Sequence, residues 1–427
     1  MKPYFKPHPL AAAVTLMLYA TGIQADAFVQ CPGDTNGDAV IDTPDPDHPN
    51  AKCMHLTAGD GFTVMSDGHP AYTFGFSNRT GVAPNQVINA GILGAHWPGS
   101  KIELDQGQEF YLSLTNVGTV MRPDLFDPHT VHFHGFPNAA AVFDGVPEVS
   151  IAINQGSTLT YYYNLKEPGT YIYHCHVEAT EHMEMGMLAN LYVHPLQDQT
   201  GIGGTVASPD TATQAPRFGG TGPTGYAYND NDSTTAFDVE APVQISDFDS
   251  DFHDAHIMVQ PLPFAALEGN YPQINGRGYP DTIKAADAMP VPMDDGTLSI
   301  DGPLNANSVF PDGQISQDMS SLITVNQGKR LLLRLSNVSI DRFFTITAPG
   351  LIMKIVGTGA RLMRGTDGKN LYQQTTSVNF GGGETHDVII DTTNVAPGTY
   401  FLHAAELHQM SNRTQMDGGM ITEIVVN

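Results

Sequence analysis

The chain has 427 residues, enough for two or three domains that each bury a core of their own. Charged residues make up only 15%, against 43 glycines and 30 prolines, a composition of strands and turns rather than of long surface helices. A formal net charge of -26 argues against nucleic acid and anionic membrane surfaces as partners and suits cations, metal ions or plain solubility.

In chain order, Lys2 and Lys6 precede the apolar run LAAAVTLMLYATG, and Ala25, Asp26 and Ala27 give an A-x-A spacing. Residues 1–27 therefore read as a cleaved secretory signal, because the run is well short of the ~20 residues that span a bilayer. No later segment is apolar enough to span. The mature chain is expected in the periplasm or outside the cell, where Cys31 and Cys53 can pair. Residues 28–54 form an acidic N-terminal segment. Within it, DTNGDAVIDTPD matches much of a calcium loop: Asp34, Asn36, Asp38, Asp42 and Asp45 take the first, third, fifth, ninth and twelfth places, and Val40 offers its carbonyl. Ala39 stands where glycine is usual and Asp45 where glutamate is usual, so an acidic turn bounded by a disulfide is the competing expectation.

Residues 55–197 form the first expected domain. In HTVHFHG, at 129–135, strand alternation puts His132 and His134 on one face and His129 on the other. Asp144 follows in AVFDGVPE and is a candidate proton relay. Next comes TLTYYYNLKEPGTYIYHCH, a turn and then a strand rich in Tyr, Thr and Ile. There His174 and His176 face one way and Cys175, the cysteine left unpaired, the other. If the two strands are neighbours, they make two metal pockets back to back. One holds His129 and Cys175; the other holds His132, His134, His174 and His176. His182 and Met187 on the following loop can complete the first pocket, with Met183 and Met185 as competing thioethers. A thiolate, two imidazoles and a weak thioether suit a blue-copper electron-transfer centre and disfavour magnesium or calcium. His96, beside Trp97, reads as an ordinary loop histidine.

A Gly/Thr/Pro-rich linker is expected over 198–239 and a second domain over 240–427. His253 and His256, in DFHDAHIM, have a spacing that can suit a metal but are weak signals alone. ITVNQGKRLLLRLSN, at 323–337, aligns without a gap on IELDQGQEFYLSLTN at 102–116, and PGTYFLH ending at His403 matches PGTYIYH ending at His174. One domain type thus occurs twice. Short alternating strands bounded by Gly, Pro and Asn predict an all-β chain of two tandem Greek-key β-sandwich domains. The second copy carries Ala404 and Ala405 in place of Cys175 and His176, and FFTITAPG near the place of HTVHFHG. Only His403, with His408 nearby, is left to reach an interface.

HTVHFHG followed by HCH, a histidine and a methionine resembles the cupredoxin-domain copper oxidases: multicopper oxidases such as laccases, and the related two-domain copper nitrite reductases. The resemblance implies cupredoxin-like domains, with His129, Cys175, His182 and Met187 as type 1 copper ligands. It further implies His132, His134, His174, His176 and His403 as ligands of a type 2 copper or a trinuclear cluster. INGRGYPDT, at 274–282, resembles a strand and turn that open a domain in the multicopper oxidases. A laccase-type cluster takes four H-x-H pairs, two from each contributing domain, and the second domain here offers none. Three readings follow. An oxidase would pass electrons from a phenol, a metal ion such as Mn(II) or Cu(I), or a redox protein through Cys175 to a cluster that reduces dioxygen. A nitrite-reductase-like homotrimer would hold one type 2 copper between subunits. A protein with the type 1 site alone would be an electron carrier. The H-x-H pairs favour the first reading, and the missing second-domain pairs count against it.

Overall fold

The computed structural model describes residues 26–201, 224–258, 261–285 and 319–427. The apolar run of the expected signal and the centre of the expected linker lie outside the described residues. Among those that are described, no helix is long and apolar enough to cross a membrane.

The first repeat is a sandwich of two four-stranded sheets. β1 (Ala51–Val64), β2 (Pro70–Asn78), β4 (Glu109–Gly118) and β6 (Thr158–Asn164) lie in the order β2-β1-β4-β6. β3 (Ile102–Asp105), β5 (His132–His134), β7 (Gly169–His174) and β8 (Leu188–His194) lie in the order β3-β8-β7-β5. Side-chain alternation explains the packing: in β6, Tyr161 and Tyr163 are fully buried while Tyr162 between them faces outward. Leu56, Phe76, Leu112, Phe133 and Tyr173 join the two tyrosines in one core that also contains Cys175 and Met187.

The second repeat follows the same plan. β11 (Val239–Phe248) runs parallel to β14 (Arg330–Asn337), as β1 runs parallel to β4. β13 (Ile323–Val325) runs parallel to β22 (Ile421–Val426), as β3 does to β8. β15 (Phe344–Thr347) pairs antiparallel with β21 (Gly398–Ala404), as β5 does with β7. Val243, Leu333, Phe380 and Leu402 belong to its core. The expectation of an all-β chain with two tandem sandwiches holds; the helices among the described residues are four short segments: α1 (Val87–Gly91), α2 (Ala179–Glu184), α3 (Gln197–Thr200) and α4 (Ser250–Ile257). The described end of the 198–239 stretch is folded, with β9 (Gly225–Tyr226) paired to β10 (Ala236–Phe237).

The two repeats are joined by a buried charge network. Arg334 on β14, fully buried, donates to Thr170 Oγ1 of β7 at 3.1 Å and pairs with Glu240 and with Asp387 of β20 (Thr385–Asp391), while the Tyr192 ring of β8 lies 5.3 Å from its guanidinium carbon. Such a charge is tolerated because its donors are shared among several acceptors; removing one partner of a buried pair costs about 3–5 kcal/mol.

The N-terminal segment is fastened by the Cys31–Cys53 disulfide, whose Cα atoms are 5.9 Å apart. In the adjoining acidic loop, the Asp34 carboxylate accepts from the backbone N–H groups of Asn36, Gly37 and Ala39, and Asp42 accepts from the N–H and hydroxyl of Thr35. Asn36 and Asp38 cap the amides two residues on. These hydrogen bonds and the disulfide account for the shape of the turn. Among the described residues, Asp34, Asp38, Asp42 and Asp45 do not bring three ligand atoms within 4.8 Å of one another.

Candidate metal centres

Residues His132 and His174 face each other directly where β5 pairs with β7. The neighbouring strands expected from the sequence are therefore present, and the parity of their side chains separates two clusters. On the inner side, His129 Nδ1 lies 3.9 Å and His182 Nδ1 3.3 Å from Cys175 Sγ, and all three residues are fully buried. His129 is held by a bridge to Ile153, and His182 sits on α2. Met187 is also fully buried, and its carbonyl accepts from the Cys175 N–H at 3.0 Å. Residues opposed across an antiparallel pair share a face, so the register places Met187 beside Cys175. Met185 is buried as well, while Met183 packs against a separate cluster with Trp97 and Phe248.

The two imidazoles of the pocket differ. Burial pushes His129 well below the usual histidine range. For His182, burial opposes protonation, but Cys175 and the Asp127 carboxylate outweigh it and raise the group to about 10. A soft sulfur and two imidazole nitrogens, closed off from water, fit copper.

On the other side, His132, His134 and His174 bring one ligand atom each within 4.8 Å of one another. The His176 ring centroid lies 5.1 Å from that of His132 and 5.7 Å from that of His174. Carbonyls set the tautomers of His174 and His132. His174 Nδ1 donates to the Cys175 carbonyl at 2.8 Å, which leaves its Nε2 facing His134 Nδ1 at 3.3 Å. His132 Nδ1 faces the Asp144 carbonyl, and the Asp144 carboxylate lies 3.6 Å from the same nitrogen. Burial pushes His174 down to about 3 and lowers His132 and His134, so these rings are neutral and able to ligate. This donor set also fits a metal ion.

The second repeat closes over that pocket without adding to it. A Cβ on Gly383, at φ +83°, would come within 2.9 Å of His134 Nε2. The register of β15 on β21 sets Phe344 and Ala404, both buried, where the first repeat has His129 and Cys175. His403 keeps the hydrogen bond of its counterpart, Nδ1 to the carbonyl of Ala404 at 2.8 Å, but among the described residues it joins no metal-binding group within the chain. His253 and His256 lie on α4, and His96 is buried beside Trp97; none of the three joins such a group either.

One cluster escaped the sequence reading. Asp127 Oδ2 lies 3.8 Å and Glu178 Oε2 4.0 Å from His182 Nε2, on the side of the ring away from Cys175. Buried atoms His182 Nε2 and Asp127 Oδ2 have no hydrogen-bond partner. Glu178 adopts φ +45°, a region that non-glycine residues seldom occupy, and burial together with the Asp127 charge raises it above the usual glutamate range. The only signals were an aspartate two residues before His129 and a glutamate one helical turn before His182.

Multicopper oxidase sequence profiles match residues 78–198 and 274–427. An iron transport multicopper oxidase, fetC, of Epichloe festucae is 31% identical over 133 residues, which span 30% of this chain and 20% of that protein. Among solved structures, the blue copper oxidase from Nitrosomonas europaea has 21% identity and a TM-score of 0.58 over 88% of this chain and 86% of its own. A copper nitrite reductase from Nitrosomonas europaea has 13% identity and a TM-score of 0.53 over 88% and 94%. At these identities the structures share the fold. Two profile matches, laid over two sandwiches of which the first carries both copper-type donor sets, place the chain in the multicopper oxidase family of copper-dependent oxidoreductases.

Proposed function

We propose that this protein is a copper-dependent oxidase that takes single electrons from a metal-ion donor at the outer edge of His182 and passes them to dioxygen at the pocket of His132, His134, His174 and His176. The observation that carries this reading is the sharing of one residue between two pockets. Cys175 points its sulfur into the first, and its carbonyl accepts from His174 of the second. His129, Cys175, His182 and Met187 would hold one copper, and the four histidines a second site. Bound copper would supply one-electron redox chemistry in the first pocket and reduction of the acceptor in the second.

The chain's own groups do the rest. The first pocket excludes water, because all four of its residues are fully buried. Between the pockets the route is the Cys175 side chain and backbone, shortened by the hydrogen bond to His174. Asp144, partly exposed and close to His132, is placed to carry protons from solvent to the second pocket. Asp127 and Glu178 would bind a cationic donor against His182, in keeping with the net charge of -26 and with a relative named for iron transport. The apolar run after Lys2 and the Cys31–Cys53 disulfide support secretion to the periplasm or beyond.

A second reading rests on a different observation: three histidine ligand atoms of the second pocket come together, and among the described residues the second repeat adds none within the chain. A single type 2 copper, completed by His403 from a neighbouring subunit of a homotrimer, would then reduce nitrite. Oxygen consumption and nitrite reduction, followed on one copper-loaded preparation with Fe(II) or Mn(II) as donor, separate the two. Donor-dependent oxygen uptake without nitrite turnover supports the oxidase; the converse supports the reductase.

A further inference from the structure

The histidine pair of α4, which joins no metal group, contacts the copper-ligand loop from behind. His256 Nε2 donates to Glu181 Oε1 of α2 at 2.8 Å, and His253 Nε2 lies 3.0 Å from the Glu184 carbonyl. His253 and His256 are one helical turn apart, as are Glu181 and Glu184, so the two short helices meet along matching faces. Further contacts fix the position of α4. Asp249 caps it, accepting from the Asp251 and Phe252 N–H groups, and the Asp249 N–H itself donates to Glu184 Oε1 at 2.7 Å. Arg122 donates to the His256 carbonyl from the other side. The Phe74 ring lies edge-on between the His256 ring, at 4.9 Å, and the His182 ring, at 5.7 Å. The ligand histidine is therefore held through Glu181, its neighbour in the chain, and through Phe74, its neighbour in space.

We propose that α4, at the start of the second repeat, is a latch on the type 1 copper loop, in which His256, through Glu181 and Phe74, is a positioning residue that keeps His182 aimed at Cys175. This rests on the copper reading of the first pocket. It gives the second repeat, whose own type 1 position is filled by Phe344 and Ala404, a task at the first. Loop ligands depend on outer contacts for their aim, and loss of such contacts commonly weakens metal binding by about 10–100-fold.

The test uses the full copper-loaded chain and three variants, His256→Leu, His256→Gln and Glu181→Ala. The readouts are the type 1 absorption and electron paramagnetic resonance signals and the rate of copper loss to a chelator. We expect His256→Leu and Glu181→Ala, which removes the acceptor, to shift the type 1 signals and release that copper about tenfold faster, with the signal of the second pocket unchanged. His256→Gln, whose amide still reaches Glu181, should behave as the parent does. Should His256→Leu fail to fold, Glu181→Ala carries the test with α4 intact. Release within twofold of the parent and unaltered type 1 signals in Glu181→Ala overturn the latch, even if the metal-free variant melts earlier. A parent protein that shows no type 1 signal when loaded overturns the copper reading itself, which is a distinct result.

Discussion

Replacing Asp127 with Asn tests the donor edge of the first pocket. The Asp127 side chain is only 17% exposed and its Oδ2 has no hydrogen-bond partner, so a bound cation would gain a charge-assisted contact already stripped of most of its water. A contact of that kind is worth about 1.5–3 kcal/mol, or roughly 10- to 150-fold in kcat/KM for a cationic donor. Glu178 is 60% exposed, and solvent screening reduces its share to about 0.2–1 kcal/mol, a factor of at most about five for Glu178→Gln. The assay is steady-state oxygen consumption with Fe(II) or Mn(II) and, in parallel, with an uncharged phenol, at low and high salt. Asp127→Asn should lose at least tenfold with the metal ions and less than twofold with the phenol, with the metal-ion deficit shrinking as salt rises. Equal losses for both donors, or none for the metal ions, would refute a cation site at His182.

Cys175→Ser should abolish the type 1 signals and leave copper bound to the second pocket, whereas His134→Ala should do the reverse; spectra and copper content of the two variants make the check. Cys31→Ser/Cys53→Ser removes a cross-link between residues 22 apart in sequence and should cost about 3 kcal/mol in chemical denaturation. Burial raises Asp247 from 3.8 to about 6. Its contribution to stability is thus present below pH 3.8 and is lost as the pH rises through about 6. Asp247→Asn should therefore gain on the parent by about 3 kcal/mol between about pH 4 and pH 7. A difference that does not change with pH in paired denaturation curves would show that this carboxyl is not the cause.

The fold and the centres of both pockets were legible because period-two alternation converts spacing directly into faces. His129, His132, His134, Cys175 and His176 could be sorted by parity alone, and β5 beside β7 requires only that the two strands be neighbours. The repeat was legible for the same reason: matching strands carry matching patterns. What escaped depends on loops and on contacts between the repeats. Asp127 and Glu178 converge on His182 from different loops, and Glu178 does so through an unusual backbone angle that no spacing announces. Gly383 meets His134 across the two repeats, a separation over which one sequence carries no register. His253 and His256 were visible as a pair, but a pair of histidines reads alike whether it faces a metal or two glutamates. His403 illustrates another case: the repeat locates it, and among the described residues it joins no metal-binding group within the chain, but the interface it was expected to reach across requires a second subunit.

If one cysteine serves two copper sites, copper content per chain and paramagnetic resonance on the same loaded sample will reveal both. At least two coppers per chain are expected, one with type 1 signals that vanish in Cys175→Ser and the rest bound to the second pocket and lost in His134→Ala. One copper with type 1 signals alone, or no type 1 signal at all, would contradict that arrangement.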